Sequence, residues 1–264
     1  RRSVPAEFTY DYAIVRVVPR VARGERMNVG VILSCPDLEF LDARIEIDLR
    51  AFRHNVTTLA ALIAPARTML AVKANAYGHG LVPLARAALE AGAHELAVLE
   101  VPAALTLRRE GVTAPLFAWL HGEATDFAAA IDEHVDLGVS SLWQLEAIGA
   151  ARASRPARVH LKIDTGLHRN GARPEDWPAL VDAALALERE GTIVIAALWS
   201  HLADASPEDD AEALVRFHEA VAVAEFLQAL HLLLGVFPGQ RAGELVQRHV
   251  RTLRGRRGLA LGSH

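Results

Sequence analysis

Of the 28 basic residues in this sequence, 26 are arginine; the exceptions are Lys73 and Lys162. A guanidinium stays charged, whereas an amine can lose its proton and attack a carbonyl. Keeping lysine at only two positions reflects either drift or a need for amine chemistry at both, and the surroundings decide between them. Lys73 closes an apolar run and sits in AVKANAYGHG, residues 71–80. In parallel α/β folds, active sites are built at the C-terminal ends of strands. Apolar neighbours around a lysine stem disfavour the ammonium, which favours nucleophilic use of the amine. Tyr77, four residues on, can bring its hydroxyl to an anion beside that amine. Lys162 lies in a strand that runs into a glycine-containing loop. Taken alone, Lys162 also fits a structural strand lysine, and His201 a satisfied core histidine.

The elements that must position these residues are legible in the texture of the chain. Asp11–Pro19 and Met27–Cys35 are rich in Val and Ile and flank a polar turn with Gly24, which predicts a β-hairpin with a long loop. From about Ala43, short apolar strands alternate with Ala/Leu-rich helices. A strand is expected at Arg44–Leu49 and a helix at Ala51–Ile63. Strands then follow at Met69–Lys73, Leu96–Glu100, Leu116–Leu120, Leu137–Ser140, Val159–Asp164 and Ile193–Trp199, with helices between them. Such alternation means parallel strands with right-handed crossovers. Six strands from Met69 onward fit most of a (β/α)8 barrel, and equally a doubly wound sheet. A helix is expected from Pro207, with Glu208–Asp210 in its first turn, where the dipole favours acids. The pattern degrades after about Glu225; Phe226–Val236 reads as helical and Gly239–His264 as an exposed arginine-rich end.

Composition bounds the rest. The chain has 264 residues, 52% of them hydrophobic, and a net charge of −4. That excludes whole-chain disorder and a global basic field for nucleic acid or anionic lipid. One cysteine, Cys35, excludes an intramolecular disulfide framework and a Cys-cluster zinc site. No apolar run approaches the ~20 residues of a membrane-spanning helix. RRSVPAEF has no apolar stretch of the signal-peptide kind. The expected compartment is the cytoplasm, and a start without Met is read as a fragment or a processed form. The arginine-rich end lacks interleaved aromatics for stacking bases.

AVKANAYGHG closely resembles the lysine signature of the alanine racemases, fold-type III pyridoxal-phosphate enzymes. The resemblance continues through RIEIDLRAFRHNV (44–56), LRREGVTAPLFAWL (107–120), HLKIDTGLHRNG (160–171) and LWSHLADA (198–205), and spans residues 43–225 collinearly. It implies a TIM-type barrel, pyridoxal 5'-phosphate as cofactor, alanine as substrate and a homodimer. It also implies residue roles. Lys73 matches the lysine that forms the internal aldimine and serves as one of two catalytic bases. Tyr77 matches the tyrosine on the cofactor phosphate. Arg169 matches the arginine near the cofactor's phenolic oxygen and the substrate carboxylate. His201 matches the histidine packed on the pyridine ring, and Lys162 a lysine that many members carbamylate. Carbamylation needs a neutral amine, so both lysines would sit where arginine cannot substitute.

The resemblance also marks departures. The tyrosines are Tyr10, Tyr12 and Tyr77, so the second base, a tyrosine of a C-terminal β-domain in the family, has no counterpart here. The last two barrel strands, with most of the phosphate cradle, are not recognisable. Residues 8–43 resemble a separate small bacterial family of unknown function. The expected organisation is therefore an N-terminal β segment (1–42), an incomplete racemase-like barrel of about six βα units (43–226) and an unmatched arginine-rich end (227–264). Three functions fit: a racemase-like isomerase, a module that holds pyridoxal phosphate without turnover, and a non-functional fusion or chimera. They are separated by cofactor binding and by chemistry on alanine.

Overall fold

The computed structural model describes residues 11–17, 27–45 and 47–236. Its first unit is an antiparallel sheet of β1 (Asp11–Val17), β2 (Met27–Cys35) and β3 (Phe40–Ile45), in that order. The expected hairpin is present and gains a third strand. A strand over Arg44–Leu49, expected to open the α/β alternation, is corrected. Residues 40–45 pair antiparallel with β2, Cys35 opposite Phe40 and Gly30 opposite Ile45. The cause is local. A three-residue 3-10 turn, Pro36–Leu38, ends at Glu39 in the left-handed region, φ 49°. So short a connection forces the next strand back along its predecessor, because a parallel partner needs a crossover of a dozen residues or more. The Asp48 carboxylate then accepts from the amides of Arg50 and Ala51, both at 2.9 Å, and starts helix α1 (Leu49–Ile63). The expected boundary at residue 42 thus falls inside β3.

The second unit is the one the alternation predicted. Strands β4 (Met69–Ala71), β5 (Glu95–Val98), β6 (Leu116–Ala118), β7 (Val135–Val139), β8 (Ala157–Lys162) and β9 (Ile193–Trp199) form one parallel sheet in sequential order. Between them run α2 (Lys73–Tyr77), α3 (Leu81–Glu90), α4 (Val101–Arg109), α5 (Phe127–Asp132), α6 (Leu142–Gly149) and α7 (Trp177–Arg189). This is an incomplete (β/α) barrel. Its central strands are buried except at Asp136 and Arg158 near their starts, as expected of parallel strands covered on both faces. One set of side chains, Leu96, Val98, Leu116, Leu137, Val159 and Leu161 among them, packs against the helices. The alternate set forms a second cluster of Ala97, Phe117 and Trp119 with Leu99 and Trp199.

Gly138 makes room for that second cluster. A Cβ there would lie 2.8 Å from Trp119 Cα and 2.9 Å from Trp119 Cβ. Helix α8 runs unbroken over Pro207–Val236, 30 residues. The expected end of the barrel near residue 226 therefore falls inside a continuous helix. No proline lies between Pro207 and Pro238 to break it, and the apolar face that packs on the core continues through Phe226, Leu227 and Leu230. The arginine-rich end expected beyond it lies outside the described residues.

Candidate active site

The sequence residues meet at the C-terminal ends of β4, β8 and β9. Lys73 follows β4 directly; the Val72 amide still donates to Ala97 O at 2.8 Å, so the strand holds its register up to the lysine. The chain then turns left-handed through four non-glycine residues, Ala74, Asn75, Ala76 and Tyr77, with φ between 51° and 55°. Such conformations cost roughly 1–2 kcal/mol per residue and persist only where the surroundings enforce them. Here Val72 and Ala76 are buried, and Asn75 Oδ1 accepts from the Leu81 amide at 2.8 Å. His79 Nδ1 lies 2.9 Å from Ala76 O. Gly78, at φ 83°, continues the turn. The sequence predicts only a glycine-containing loop here. The turn sets Lys73 Nζ 5.7 Å from the Tyr77 ring centroid and 5.9 Å from that of Trp119.

Lys162 ends β8 and is 2% exposed, with Nζ 4.6 Å from the Trp199 ring centroid. Burial first, then the nearby Arg169, pushes its amine down to about 8, against a smaller pull from Asp164. Beyond it the chain makes a tight loop. The Asp164 carboxylate accepts from the amides of Gly166 and His168, at 3.0 and 3.1 Å, and faces His168 Nδ1 at 3.1 Å. The loop returns to β8 where Ala172 N donates to Lys162 O and Asp164 N to Ala172 O, both at 2.8 Å. Gly171 permits this closure, since a Cβ there would meet Asp164 N at 2.7 Å. Arg169 is carried exposed on the loop.

His201 stands just past β9. Burial, then the charges of Lys162, Arg169 and Lys73, pushes its imidazole down to about 4, so it is neutral at ordinary pH. Lys162 and His201 both lie against Trp199, whose ring is 6.4 Å from that of Trp119 beside Lys73. The His201 ring centroid lies 5.1 Å from that of Trp199.

The sequence profile described as "Alanine racemase, N-terminal domain" matches residues 47–237. This chain belongs to that family. It is 49% identical over 183 residues to the alanine racemase of Frankia casuarinae, covering 67% of this chain and 48% of that protein. It is 46% identical over 189 residues to that of Salinispora arenicola, covering 69% and 50%. Among solved structures, the alanine racemase from D-cycloserine-producing Streptomyces lavendulae superposes with a TM-score of 0.66 at 42% identity, over 69% of this chain and 49% of that one. That of Streptomyces coelicolor gives 0.65 at 41%, over 68% and 49%. The chain spans about half the length of the curated relatives it matches.

The alanine racemase family barrel here carries a feature that sequence reasoning missed, an aromatic layer beneath the lysines. Trp199 stands edge-on to Phe117 and Trp119, with centroids 5.2 and 6.4 Å away, and its Nε1 donates to His160 O at 3.3 Å. His160 stacks on Phe117 at 4.4 Å while its Nε2 lies 2.9 Å from the Asp136 carboxylate. The signal was the inward alternation of Phe117 and Trp119 in LFAW, legible once the strand register is known.

Proposed function

We propose that this barrel binds pyridoxal 5'-phosphate through Lys73 and acts on alanine as an isomerase, interconverting the L and D forms. The observation that carries the reading is the placement of Lys73, Lys162 and His201 around one pair of touching rings, Trp119 and Trp199, at the strand ends. The residues suit an anionic aromatic group. Three cations face a single nearby acid, Asp164, whose oxygens are already bonded within their own loop. His201 Nδ1 and Asn170 Oδ1 are buried with no hydrogen-bond partner in the protein, which a bound polar group would relieve. Lys73 would bond the cofactor aldehyde, Tyr77 contact its phosphate and His201 cover one ring face.

When bound, pyridoxal phosphate supplies an electron sink conjugated to the substrate nitrogen, which acidifies the alanine Cα proton. Lys73 Nζ is the base that takes that proton on one face and returns it. Arg169 holds the carboxylate so that Cα faces Nζ. The left-handed turn fixes the amine at the strand end, so little motion is spent aligning it. Lys162, lowered to about 8, keeps enough neutral amine near neutral pH to add to carbon dioxide, with the carbamate's proton leaving to water. Racemisation needs a base on each face of Cα, and Lys73 supplies the one on its own side. The Lys73 face is therefore expected to exchange the Cα proton of L-alanine in deuterium oxide.

The reading is tested by mixing the purified protein with pyridoxal phosphate, reducing with borohydride and mapping the modified peptide. A pyridoxyl group on Lys73 is expected. A protein that labels no lysine sinks the cofactor assignment, and one that labels Lys73 but exchanges no alanine proton is a cofactor-holding module instead. An assembly of two copies and a cytoplasmic setting belong to the same proposal.

A further inference from the structure

Helix α8 reaches into the site at a point the proposed chemistry does not use. Arg216 Nη1 donates to Thr165 O at 3.0 Å, and Arg216 Nη2 donates to the Glu212 carboxylate one turn earlier at 2.6 Å. The guanidinium lies against Gly166, where a Cβ would stand 2.6 Å from Nη1. Gly166 has φ 133°, a conformation that suits glycine alone. A Cβ at 166 would crowd the guanidinium that reaches the Thr165 carbonyl.

Thr165 is 1% exposed and is the residue that joins the β8 loop to the end of β9. Its Oγ1 lies 2.8 Å from Ser200 Oγ, and Ser200 Oγ donates in turn to Ile163 O at 2.8 Å. Ser200 is the residue before His201, and Arg169 lies four residues past Thr165. The helix, the loop and the strand end thus meet at one buried threonine, and Arg216 supplies the link to the helix.

We propose that Arg216 is a positioning residue of the site, holding the Arg169 loop against the strand end that carries His201. The proposal rests on the roles given above to Arg169 and His201, and it specifies what keeps them in register. A guanidinium suits the task because it binds two acceptors in one plane, here a carbonyl and a carboxylate. Glu212 fixes the rotamer from which Arg216 reaches the loop. Released from this grip, the loop would keep its Asp164 and Thr165–Ser200 bonds but lose its tie to α8, and Arg169 would shift relative to His201.

The test follows the His201 ring by NMR titration of the full chain, with and without pyridoxal phosphate, its signal assigned by loss in His201→Asn. The charges acting on His201 are Lys162, Arg169 and Lys73. In Arg216→Gln the midpoint should rise by about one pH unit as Arg169 departs. Arg216→Lys keeps a donor for Thr165 O and should restore most of the wild-type value. Glu212→Gln should give a smaller rise. A helix-docking role alone would lower the melting temperature and leave the midpoint in place. An unchanged midpoint in folded Arg216→Gln, or in Glu212→Gln where Arg216→Gln does not fold, overturns the proposal. The cofactor-free titration stands apart from cofactor binding: a shifted midpoint in a protein that takes no pyridoxal phosphate would sink the proposed function and leave the role of Arg216 intact.

Discussion

The two lysines sit at equivalent places on different strands and live in opposite surroundings. Lys73 follows β4, a three-residue strand at the edge of the described sheet, flanked by exposed Met69 and Ala71. Lys162 ends β8, six residues long and paired on both sides, and is 2% exposed. Edge position and a left-handed turn present the first amine; central position and aromatic cover sequester the second. Residue type and strand-end placement are therefore not enough to assign a role. The strand's place in the sheet decides how deeply its terminal amine is buried.

The largest expected effect separates the two directly. Lys73→Arg should abolish reductive attachment of pyridoxal phosphate and slow alanine proton exchange by about 10²–10⁴-fold, the usual worth of a positioned base. Lys162→Arg should leave the label on Lys73. Attachment at Lys162 in wild-type protein would reverse the comparison. The next effect tests what the lysines share, since Trp119 lies under Lys73 and Trp199 under Lys162. Gly138→Ala drives a methyl into the Trp119 backbone, which cannot rotate away. A loss near the upper end of overpacking costs, about 3 kcal/mol, is expected in urea unfolding.

This division explains what the sequence revealed. Six parallel strands could be read because each is a short apolar run between helices, and Ile193–Trp199 was placed to the residue. The fate of residues 40–45 was hidden because a strand's partner depends on a turn conformation, here the left-handed Glu39, which leaves little trace in residue type. Lys73 and Lys162 were visible through composition. Their unequal burial was not, because it depends on how many strands flank each. His121 escaped notice for a similar reason. It is 6% exposed, although LHG in sequence reads as an ordinary loop.

His121 gives the third effect, in acid. Burial pushes its imidazole down to about 4, against weaker opposing pulls from the Ala118 and Gly138 carbonyls. The folded form thus binds fewer protons than the unfolded one between about 4 and the ordinary 6.5. Stability is complete above that window and falls as pH drops through it, by about 3 kcal/mol for His121. His201 acts in the same direction, through burial first and then the charges of Lys162, Arg169 and Lys73. Urea midpoints from pH 7 to pH 4 should fall in wild-type protein and fall less in His121→Phe. A slope untouched by that substitution would shift the acid sensitivity onto His201.

The smallest effect is the sharpest discriminator. With its folded-state value lowered to about 8 from 10.5, Lys162 holds its proton less well in the folded than in the unfolded chain. Wild-type stability should therefore rise as pH climbs from 8 toward 10.5, where the unfolded lysine also becomes neutral. Lys162→Met keeps the volume and removes the buried charge. At pH 7 it should be more stable than wild type by about 1–2 kcal/mol, the shift being discounted for nearby solvent, with the gap closing at alkaline pH. The His201 midpoint should rise in both Lys162→Met and Lys73→Met, and more in the former, because the sequestered amine acts on it more strongly. Equal shifts in the two methionine variants would mean that His201 feels both amines alike, and the contrast between the strands would then lie in burial alone.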